Sequence, residues 1–300
     1  MLIFLIIMGL LIIAFFAAGI VLMNVMTKPK NKETYEFSID REKKNGLWFD
    51  FDDWDREEVN LTMSDGYVLH GLYIPGTVPD KFVIITHGYT ANMYGMVKYA
   101  HIYRDLGYGI YIYDIRNHGK NKECYTSMGR IESRDIVEIA RKLREKFGPD
   151  ISIGLHGESL GAASSLLAIG IDKTFDFCVA DCPFTDLGIL SQEILGGGST
   201  AKMLTFAMSM ASVIFHGYRL DRVRPIDVVA GDLDVPICFI HGQADDFINC
   251  NHSRRAADQC RAYHEIHLAP GAGHAQSYEV LSDRYDTIVK EFLDRNNNCF

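Results

Sequence analysis

The sequence lacks the spaced cysteine pairs that build zinc sites and disulfide frameworks. Its seven cysteines are odd in number, and no two of them form a C-x-x-C pair. Cys178 and Cys238 fall in apolar stretches, where a thiol behaves as a small core residue. We therefore expect no metal site, and the pattern favours a reducing compartment.

The chain also lacks an excess of positive charge. Its 30 Lys and Arg are outnumbered by 39 Asp and Glu, and the net charge is −9. The basic residues are scattered along the chain, so nothing in their distribution would attract a phosphate backbone. Nucleic acid is not an expected partner.

Charged side chains are absent from residues 1–26. At 1.5 Å per residue this segment would form a helix of about 39 Å, enough to cross a hydrocarbon layer of about 30 Å. A signal peptide would open with Lys or Arg, hold an apolar region of about 7 to 15 residues and end at a small-residue cleavage site. The segment matches these features poorly, so we predict an uncleaved transmembrane anchor.

The residues that follow the anchor bear on its orientation. Lys28, Lys30 and Lys32 come directly after the span, and no basic side chain precedes it. The positive-inside rule then favours a catalytic domain on the cytoplasmic side. The rule is statistical, and the extracellular side stays open.

Residues 27–57 are polar and end in several aromatic residues, which indicates a tether that docks onto the following domain. In the domain, residues 58–300, hydrophobic runs of strand length alternate with helical patterns. This alternation predicts an α/β fold with a mostly parallel sheet of about eight strands, covered by helices on both faces. We expect strands at 59–63, 67–74, 82–86, 108–113, 151–155, 177–180, 235–240 and 264–268, and helices near 95–106, 133–147, 160–170, 251–260 and 277–294.

One stretch, residues 186–229, is too long to connect adjacent elements and has helical character. We predict an inserted cap there. Residues 203–215 are its apolar centre, and Gly196-Gly197-Gly198 could act as a hinge. An ordinary buried helix with a loop explains the same residues equally well.

Ser159 is the candidate nucleophile. It stands in Gly157-Glu158-Ser159-Leu160-Gly161, between an apolar strand-like run and a helical run. This setting is typical of a serine lifted into the open on a sharp strand-to-helix turn, and the two glycines leave room for that turn. The alternative is a serine that merely caps a helix.

The base that activates such a serine is expected near the C-terminus, because the triad order on this kind of sheet is Ser, acid, His. His274 lies in a loop directly after the last predicted strand. Other histidines are better explained as structural residues or strand positions: His87, His118, His156, His241, His264 and His267.

Asp245 is the candidate for the acid that orients the base, because it follows the penultimate predicted strand. Asp246 is the immediate alternative and Asp181 a more remote one. Either Asp245 or Asp246 could instead be a turn residue. Backbone N–H groups of Tyr89 and Leu160 are the expected oxyanion donors. Asp114 could be mistaken for a catalytic acid, but we expect it to order a loop.

Together these motifs resemble the α/β-hydrolase superfamily: His87-Gly88-Tyr89, Asp114 with Arg116 and His118-Gly119, the run around Ser159, Ala180 to Phe184, His241-Gly242 with Asp245, and Gly273-His274-Ala275. More narrowly they look like bacterial membrane-anchored hydrolases of the serine-aminopeptidase-like or acylglycerol-lipase-like branch. The resemblance covers residues 58–295. It implies the fold and the triad, but members include esterases, lipases, thioesterases and peptidases, so it does not fix the substrate.

The expected function is hydrolysis of a small-molecule carboxylic ester through an acyl-enzyme that needs no metal or organic cofactor, and a lipid-like acyl ester is one option for the substrate. One alternative is an amide or peptide hydrolase of the serine aminopeptidase type. Another is a membrane-tethered binding protein with a disused triad. The oligomeric state cannot be read from the sequence.

Overall fold

Eight β-strands form one sheet in the computed structural model, which describes residues 1–297. Cys299 and the last residues of the predicted domain lie outside the described residues. The strand order is β1-β2-β4-β3-β5-β6-β7-β8, with antiparallel β1-β2 and β2-β4 pairs and parallel pairs elsewhere. The strands are β1 Glu57–Thr62, β2 Val68–Ile74, β3 Lys81–Thr86, β4 Gly109–Tyr113, β5 Ser152–Glu158, β6 Phe177–Asp181, β7 Ile237–Gly242 and β8 His264–Ala269.

Helices cover both faces of this sheet, as predicted. They are α1 Leu2–Thr27, α2 Tyr35–Lys44, α3 Val97–Asp105, α4 Glu132–Phe147, α5 Leu160–Ile171, α6 Leu187–Ile194, α7 Gly198–His216, α8 Pro225–Val229, α9 Asn251–Gln259, α10 Ser277–Leu281 and α11 Asp283–Asn297. Because strand residues alternate between faces, Ile84 packs in one core cluster with residues of α4 and α5, and Val83 and Ile85 pack in a second cluster with residues of α3 and α11. The predicted α/β-hydrolase architecture, a mostly parallel eight-stranded sheet with helices on both faces, is confirmed.

Each of the eight predicted strands has a counterpart in the sheet. The helix predicted near 277–294 differs, because α10 and α11 are two helices separated by Ser282. Ser282 has a φ of +48°, a left-handed conformation that interrupts a helix. Apolar residues on both sides of the break are buried, so their spacing alone predicted one continuous helix.

The segment predicted as a tether holds a helix that its polar composition did not indicate. Thr34 caps α2 by accepting a hydrogen bond from the backbone N–H of Phe37. The aromatic residues that follow dock onto the domain as expected, with Trp48, Phe51 and Trp54 buried. Residues 27–57 are therefore largely folded against the sheet domain.

The predicted cap region is helical and contains α6, α7 and α8. Its longest helix, α7, packs against α1. A Cβ added at Gly19 would lie 2.4 Å from the carbonyl oxygen of Ala207, so the two backbones are in close contact. The C-terminal ends also meet, because the Tyr125 ring stacks on His216 with centroids 3.9 Å apart and the N–H of the next residue, Thr126, donates to Thr27 O at 2.7 Å. Gly19 precedes Thr27 by eight residues and Ala207 precedes His216 by nine, so α1 and α7 run parallel.

Helix α1 is the one helix within residues 1–297 that is long and apolar enough to cross a membrane, judged by length and composition. A membrane-spanning helix and a signal sequence share these properties. The large apolar side chains from Leu2 to Ile13 are exposed, while Gly19, Met23 and Thr27 are buried. The helix therefore contacts the rest of the protein through its C-terminal half.

The docked aromatic residues should contribute to folding stability. Phe51→Ala removes a fully buried ring, and we expect it to lower the free energy of unfolding by about 3–5 kcal/mol. Phe37→Ala, in the same segment but with a ring that is 57% exposed, is the matched control and should change it by less than about 0.5 kcal/mol. Denaturant unfolding of the full chain in micelles measures both. Equal effects would contradict a folded role for this segment.

Candidate active site

Ser159 occupies a strained turn between β5 and α5. Its φ of +55° is rare for a residue with a side chain, and its N–H donates to the carbonyl oxygen of Asp181 at 2.8 Å. A Cβ at Gly157 would lie 2.4 Å from Gly161, and one at Gly161 would lie 2.0 Å from the carbonyl oxygen of Thr86. Glycine is therefore required at both positions of the motif.

The structure brings the three predicted triad residues into one hydrogen-bonded chain. Ser159 Oγ lies 3.0 Å from His274 Nε2, and His274 Nδ1 lies 2.7 Å from Asp245 Oδ2. Asp245 is in the loop after β7 and His274 in the loop after β8. The carboxyl ends of parallel strands meet at one edge of the sheet, which is how residues far apart in sequence come together.

Asp245 is held as a carboxylate. Burial alone would raise its pKa, but hydrogen bonds from His241 and His274 outweigh burial and hold the pKa well below its ordinary value. Its Oδ1 also accepts from the backbone N–H groups of Phe247 at 3.0 Å and Ile248 at 2.8 Å. An ionised Asp245 accepts a hydrogen bond from the Nδ1–H of His274, which leaves Nε2 free to accept the Ser159 proton.

The alternative acids lie in other environments. Asp246 is exposed. Asp181 is buried and accepts from Ser277 Oγ at 2.9 Å and from the Tyr99 hydroxyl at 3.1 Å. Burial and then the neighbouring Glu158 raise the pKa of Asp181 to about 6. Asp181 therefore supports the turn behind Ser159, and it is not the residue bonded to His274.

Asp114 orders a loop, as expected from the sequence. Its side chain accepts hydrogen bonds from the backbone N–H of Met93 at 3.0 Å and of Lys120 at 3.2 Å, and from the Tyr35 hydroxyl. These partners join the loops after β3 and β4 to helix α2.

The other histidines near the strand ends are buried and satisfied by local partners. The backbone N–H of Ile115 donates to His87 Nε2, and that of Thr90 donates to His118 Nε2. Burial is the main cause that lowers the pKa of His87 to about 4 and of His118 to about 3. These neutral rings hold loops beside the site.

The residues expected to bind the oxyanion lie beside the nucleophile. Tyr89 and Leu160 line the same cavity as Ser159. The backbone before Tyr89 comes close to the serine, since a Cβ at Gly88 would lie 3.2 Å from the Ser159 Cβ. Leu160 begins α5, whose N-terminal end carries partial positive charge that favours an anion.

A buried ion pair behind the nucleophile was missed by sequence reasoning. Lys98 Nζ lies 2.8 Å from Glu158 Oε2 and 3.6 Å from Glu279 Oε1. Burial alone would raise the pKa of Glu158, but Lys98 holds it below its ordinary value. A single lysine in a helical pattern carries no sequence signal, because its partner Glu158 lies 60 residues away in the chain.

Ser159 stands between two cavities of different polarity. The first, of about 230 Å³, is apolar, and its wall includes Leu160, Met128, Phe184 and Met208. The second, of about 440 Å³, is polar. Its lining includes Glu33, Arg41, Lys98, Glu158, His274 and Gln276. A larger polar groove of about 710 Å³ on another part of the domain contains none of the triad residues.

The side chains of Cys182, Asp245 and His274 place potential metal-binding atoms within 4.8 Å of one another. Burial, followed by the nearby carboxylates, raises the pKa of the Cys182 thiol well above its ordinary value. Because metals bind the thiolate, a protonated thiol is a poor ligand. The triad hydrogen bond already accounts for Asp245 and His274.

The raised pKa of Asp181 has a consequence for stability. Between pH 3.8 and about 6 the folded state binds a proton at Asp181 that the unfolded state has lost, so this residue destabilises the fold as pH rises. Asp181→Asn removes this pH-dependent loss of stability. We expect the stability of the variant relative to wild type to increase by about 3 kcal/mol across that window and then stay constant.

Denaturant unfolding of the full chain in micelles, from pH 4 to pH 7.5, measures this difference. Asp246→Asn is the matched control, because an exposed carboxylate is solvated in both states and its curve should parallel that of wild type. A pH-independent offset for Asp181→Asn would contradict the assignment.

Comparison with known proteins identifies the family of the chain. The model of the prolyl oligopeptidase family matches residues 98–298. The YqkD protein of Bacillus subtilis is 31% identical over 300 residues, covering 97% of this chain and 96% of that protein. The YfhR protein of Escherichia coli K12 is 24% identical over 249 residues, covering 80% of each chain.

Solved structures share the fold. An esterase of Pyrococcus furiosus superposes with a TM-score of 0.67 at 22% identity, over 85% of this chain and 95% of that one. A puromycin-hydrolyzing peptidase of Mycobacterium tuberculosis gives a TM-score of 0.60 at 15% identity, over 81% of this chain and 39% of that one. The family model covers more than half of the sequence. The chain therefore belongs to the prolyl oligopeptidase family and is a serine hydrolase of the α/β-hydrolase superfamily.

Proposed function

We propose that the protein hydrolyses carboxylic esters with an apolar acyl group, with Ser159, His274 and Asp245 as its catalytic triad. The observation that carries this proposal is the hydrogen-bonded chain from Ser159 through His274 to Asp245, set at the junction of an apolar and a polar cavity. The acyl group occupies the apolar cavity and the leaving alcohol the polar one.

In the first half of the reaction, Ser159 Oγ attacks the ester carbonyl while His274 Nε2 takes the serine proton. The amides of Tyr89 and Leu160 stabilise the oxyanion. His274 then gives the proton to the departing alcohol, which leaves an acyl-serine. Water attacks this ester with His274 again as the base, and the products are a carboxylic acid and free enzyme.

The charges of the polar cavity support an ester over a peptide with a free amino terminus. A site for an α-ammonium group needs a carboxylate available to bind it. The three carboxylates that line this cavity already have cationic partners: Glu33 lies 2.5 Å from Arg41, and Glu158 and Glu279 both contact Lys98.

Amide or peptide hydrolysis is the second candidate. It is favoured by membership of a family named for an oligopeptidase and by the fold shared with a puromycin-hydrolyzing peptidase. The same triad could cleave either bond, so the leaving group must be determined by experiment.

We further propose that α1 remains attached and anchors the protein in a membrane. Its last residues are bonded to the catalytic domain, as the Tyr89 hydroxyl donates to Met26 O at 2.8 Å and the Thr126 N–H donates to Thr27 O at 2.7 Å. Such contacts support a retained helix over a cleaved signal peptide. The lysines after α1 favour the cytoplasmic side for the catalytic domain.

The triad assignment predicts covalent labelling at Ser159. A fluorophosphonate probe should label the wild-type chain, and Ser159→Ala should abolish labelling because the nucleophile is removed. His274→Ala should slow it by roughly 10³-fold or more, because the base is lost. Ser64→Ala and His264→Ala, which lie outside the triad, serve as matched controls and should label normally.

Ester hydrolysis separates the candidate acids. Asp245→Asn should reduce ester hydrolysis by about 10⁴-fold, since the amide favours the wrong tautomer of His274. Asp246→Asn should stay within about twofold of wild type, as its side chain is exposed. A larger loss in Asp246→Asn than in Asp245→Asn would indicate that Asp246 is the acid that orients His274. Absence of labelling in folded wild-type protein would instead favour a non-catalytic binding protein.

Bond preference is tested with p-nitrophenyl esters against aminoacyl p-nitroanilides. We expect kcat/KM for the best ester to exceed that for the best anilide by at least about 100-fold, because the paired carboxylates offer no site for a free ammonium group. Ser159→Ala measured with every substrate controls for background hydrolysis. Activity on anilides alone would overturn the ester proposal and leave the triad intact.

A further inference from the structure

Three residues from the last turns of α1 line the apolar cavity that contains Ser159. They are Leu22, Val25 and Met26. The remainder of the wall comes from the catalytic domain and from the cap helices α6 and α7. The apolar N-terminal helix is therefore part of the cavity beside the nucleophile.

We propose that α1 forms the outer wall of the acyl-binding site, and that the substrate is an ester whose medium or long acyl chain enters from the bilayer along this helix. This inference rests on the proposed ester hydrolase function. It names Leu22 and Met26 as residues that determine acyl-chain length.

The position of the wall is fixed by direct contacts. The backbone of Gly19 touches that of Ala207, and Met23 is buried, so α1 is held against α7 one turn before the cavity. At its other end, the hydroxyl of Tyr89 donates to Met26 O at 2.8 Å. The amide of Tyr89 is the proposed oxyanion donor, so a single residue connects the wall with the reaction centre.

The surroundings of the cavity are also apolar. Val25, Ile194 and Phe247 line it and are 67%, 52% and 49% exposed, respectively. Exposed apolar side chains at a cavity form a surface that an acyl chain can cross without entering water. Val25 lies two residues before the end of α1, where a membrane-spanning helix would leave the hydrocarbon layer.

Helix α7 extends this apolar surface. It runs parallel to α1 and exposes Met203, Phe206, Ile214 and Phe215. Because α7 is packed against α1, these side chains extend the exposed apolar surface of α1 beside the cavity. A substrate resident in the bilayer is therefore close to the cavity before it binds.

The size of the cavity agrees with a single acyl chain. Its volume of about 230 Å³ is below the roughly 300–1,000 Å³ typical of pockets for drug-sized ligands. The polar cavity on the other side of Ser159 would receive a hydrophilic alcohol. This division suits an amphiphile with one acyl chain at the reacting carbonyl and a polar head.

The experiment compares acyl-chain selectivity in variants of the full chain reconstituted in nanodiscs. Substrates are p-nitrophenyl acetate and p-nitrophenyl decanoate. Leu22→Trp and Met26→Trp should each fill the cavity and lower the ratio of kcat/KM for decanoate to kcat/KM for acetate at least about tenfold. Val21→Trp, on the same helix but at a 61% exposed position that does not line the cavity, is the matched control and should leave the ratio unchanged.

Smaller side chains at the same two positions test whether a folding defect explains the effect of the tryptophan variants. Leu22→Ala and Met26→Ala should enlarge the cavity and shift the optimum of a C2 to C16 ester series toward longer chains. An unchanged decanoate-to-acetate ratio in all four cavity variants, or the same change in Val21→Trp, would overturn the inference and leave the ester hydrolase function standing. A wild-type chain that hydrolyses neither ester would refute the proposed function itself.

Discussion

The close approach of α5 to the end of β3 is the constraint on which the site depends. Only hydrogen fits at position 161, because any Cβ there would overlap the backbone of Thr86. This contact lets the chain reverse sharply after β5, so Ser159 is held at a φ of +55° and its Oγ reaches the His274 ring. The packed sheet around Ser159 stabilises this strained conformation.

The surroundings of two aspartates at the same edge of the sheet shift their pKa values in opposite directions. Asp245 receives hydrogen bonds from two imidazoles and two backbone amides, and it stays ionised. Asp181 faces the Glu158 carboxylate in a buried position, and its pKa is raised to about 6. The groups around each aspartate thus set its pKa. Asp245 is a carboxylate that can accept a hydrogen bond from His274, whereas Asp181 keeps its proton to a higher pH and supports the turn.

Much of this arrangement could be predicted from the sequence, because it follows from local patterns. Alternating apolar runs gave the strands, and the motif around Ser159 with its two glycines gave the turn. The polar helix α2, the break at Ser282 and the Lys98–Glu158 pair were missed. Each of these depends on contacts between distant residues or on one backbone angle, and neither leaves a periodic signal.

The packing of α1 on the cap was the largest structural feature without a sequence signal, since Gly19 and Ala207 are 188 positions apart. Its consequence, on the proposed function, is that anchoring and substrate binding would depend on the same helix. A chain beginning near residue 30 would keep all three triad residues but would lose Leu22, Val25 and Met26 from the cavity wall. It would also lose the carbonyl that accepts a hydrogen bond from the hydroxyl of Tyr89, the proposed oxyanion donor. On the proposed function, helix α1 is therefore a wall of the acyl-binding site as well as the proposed membrane anchor.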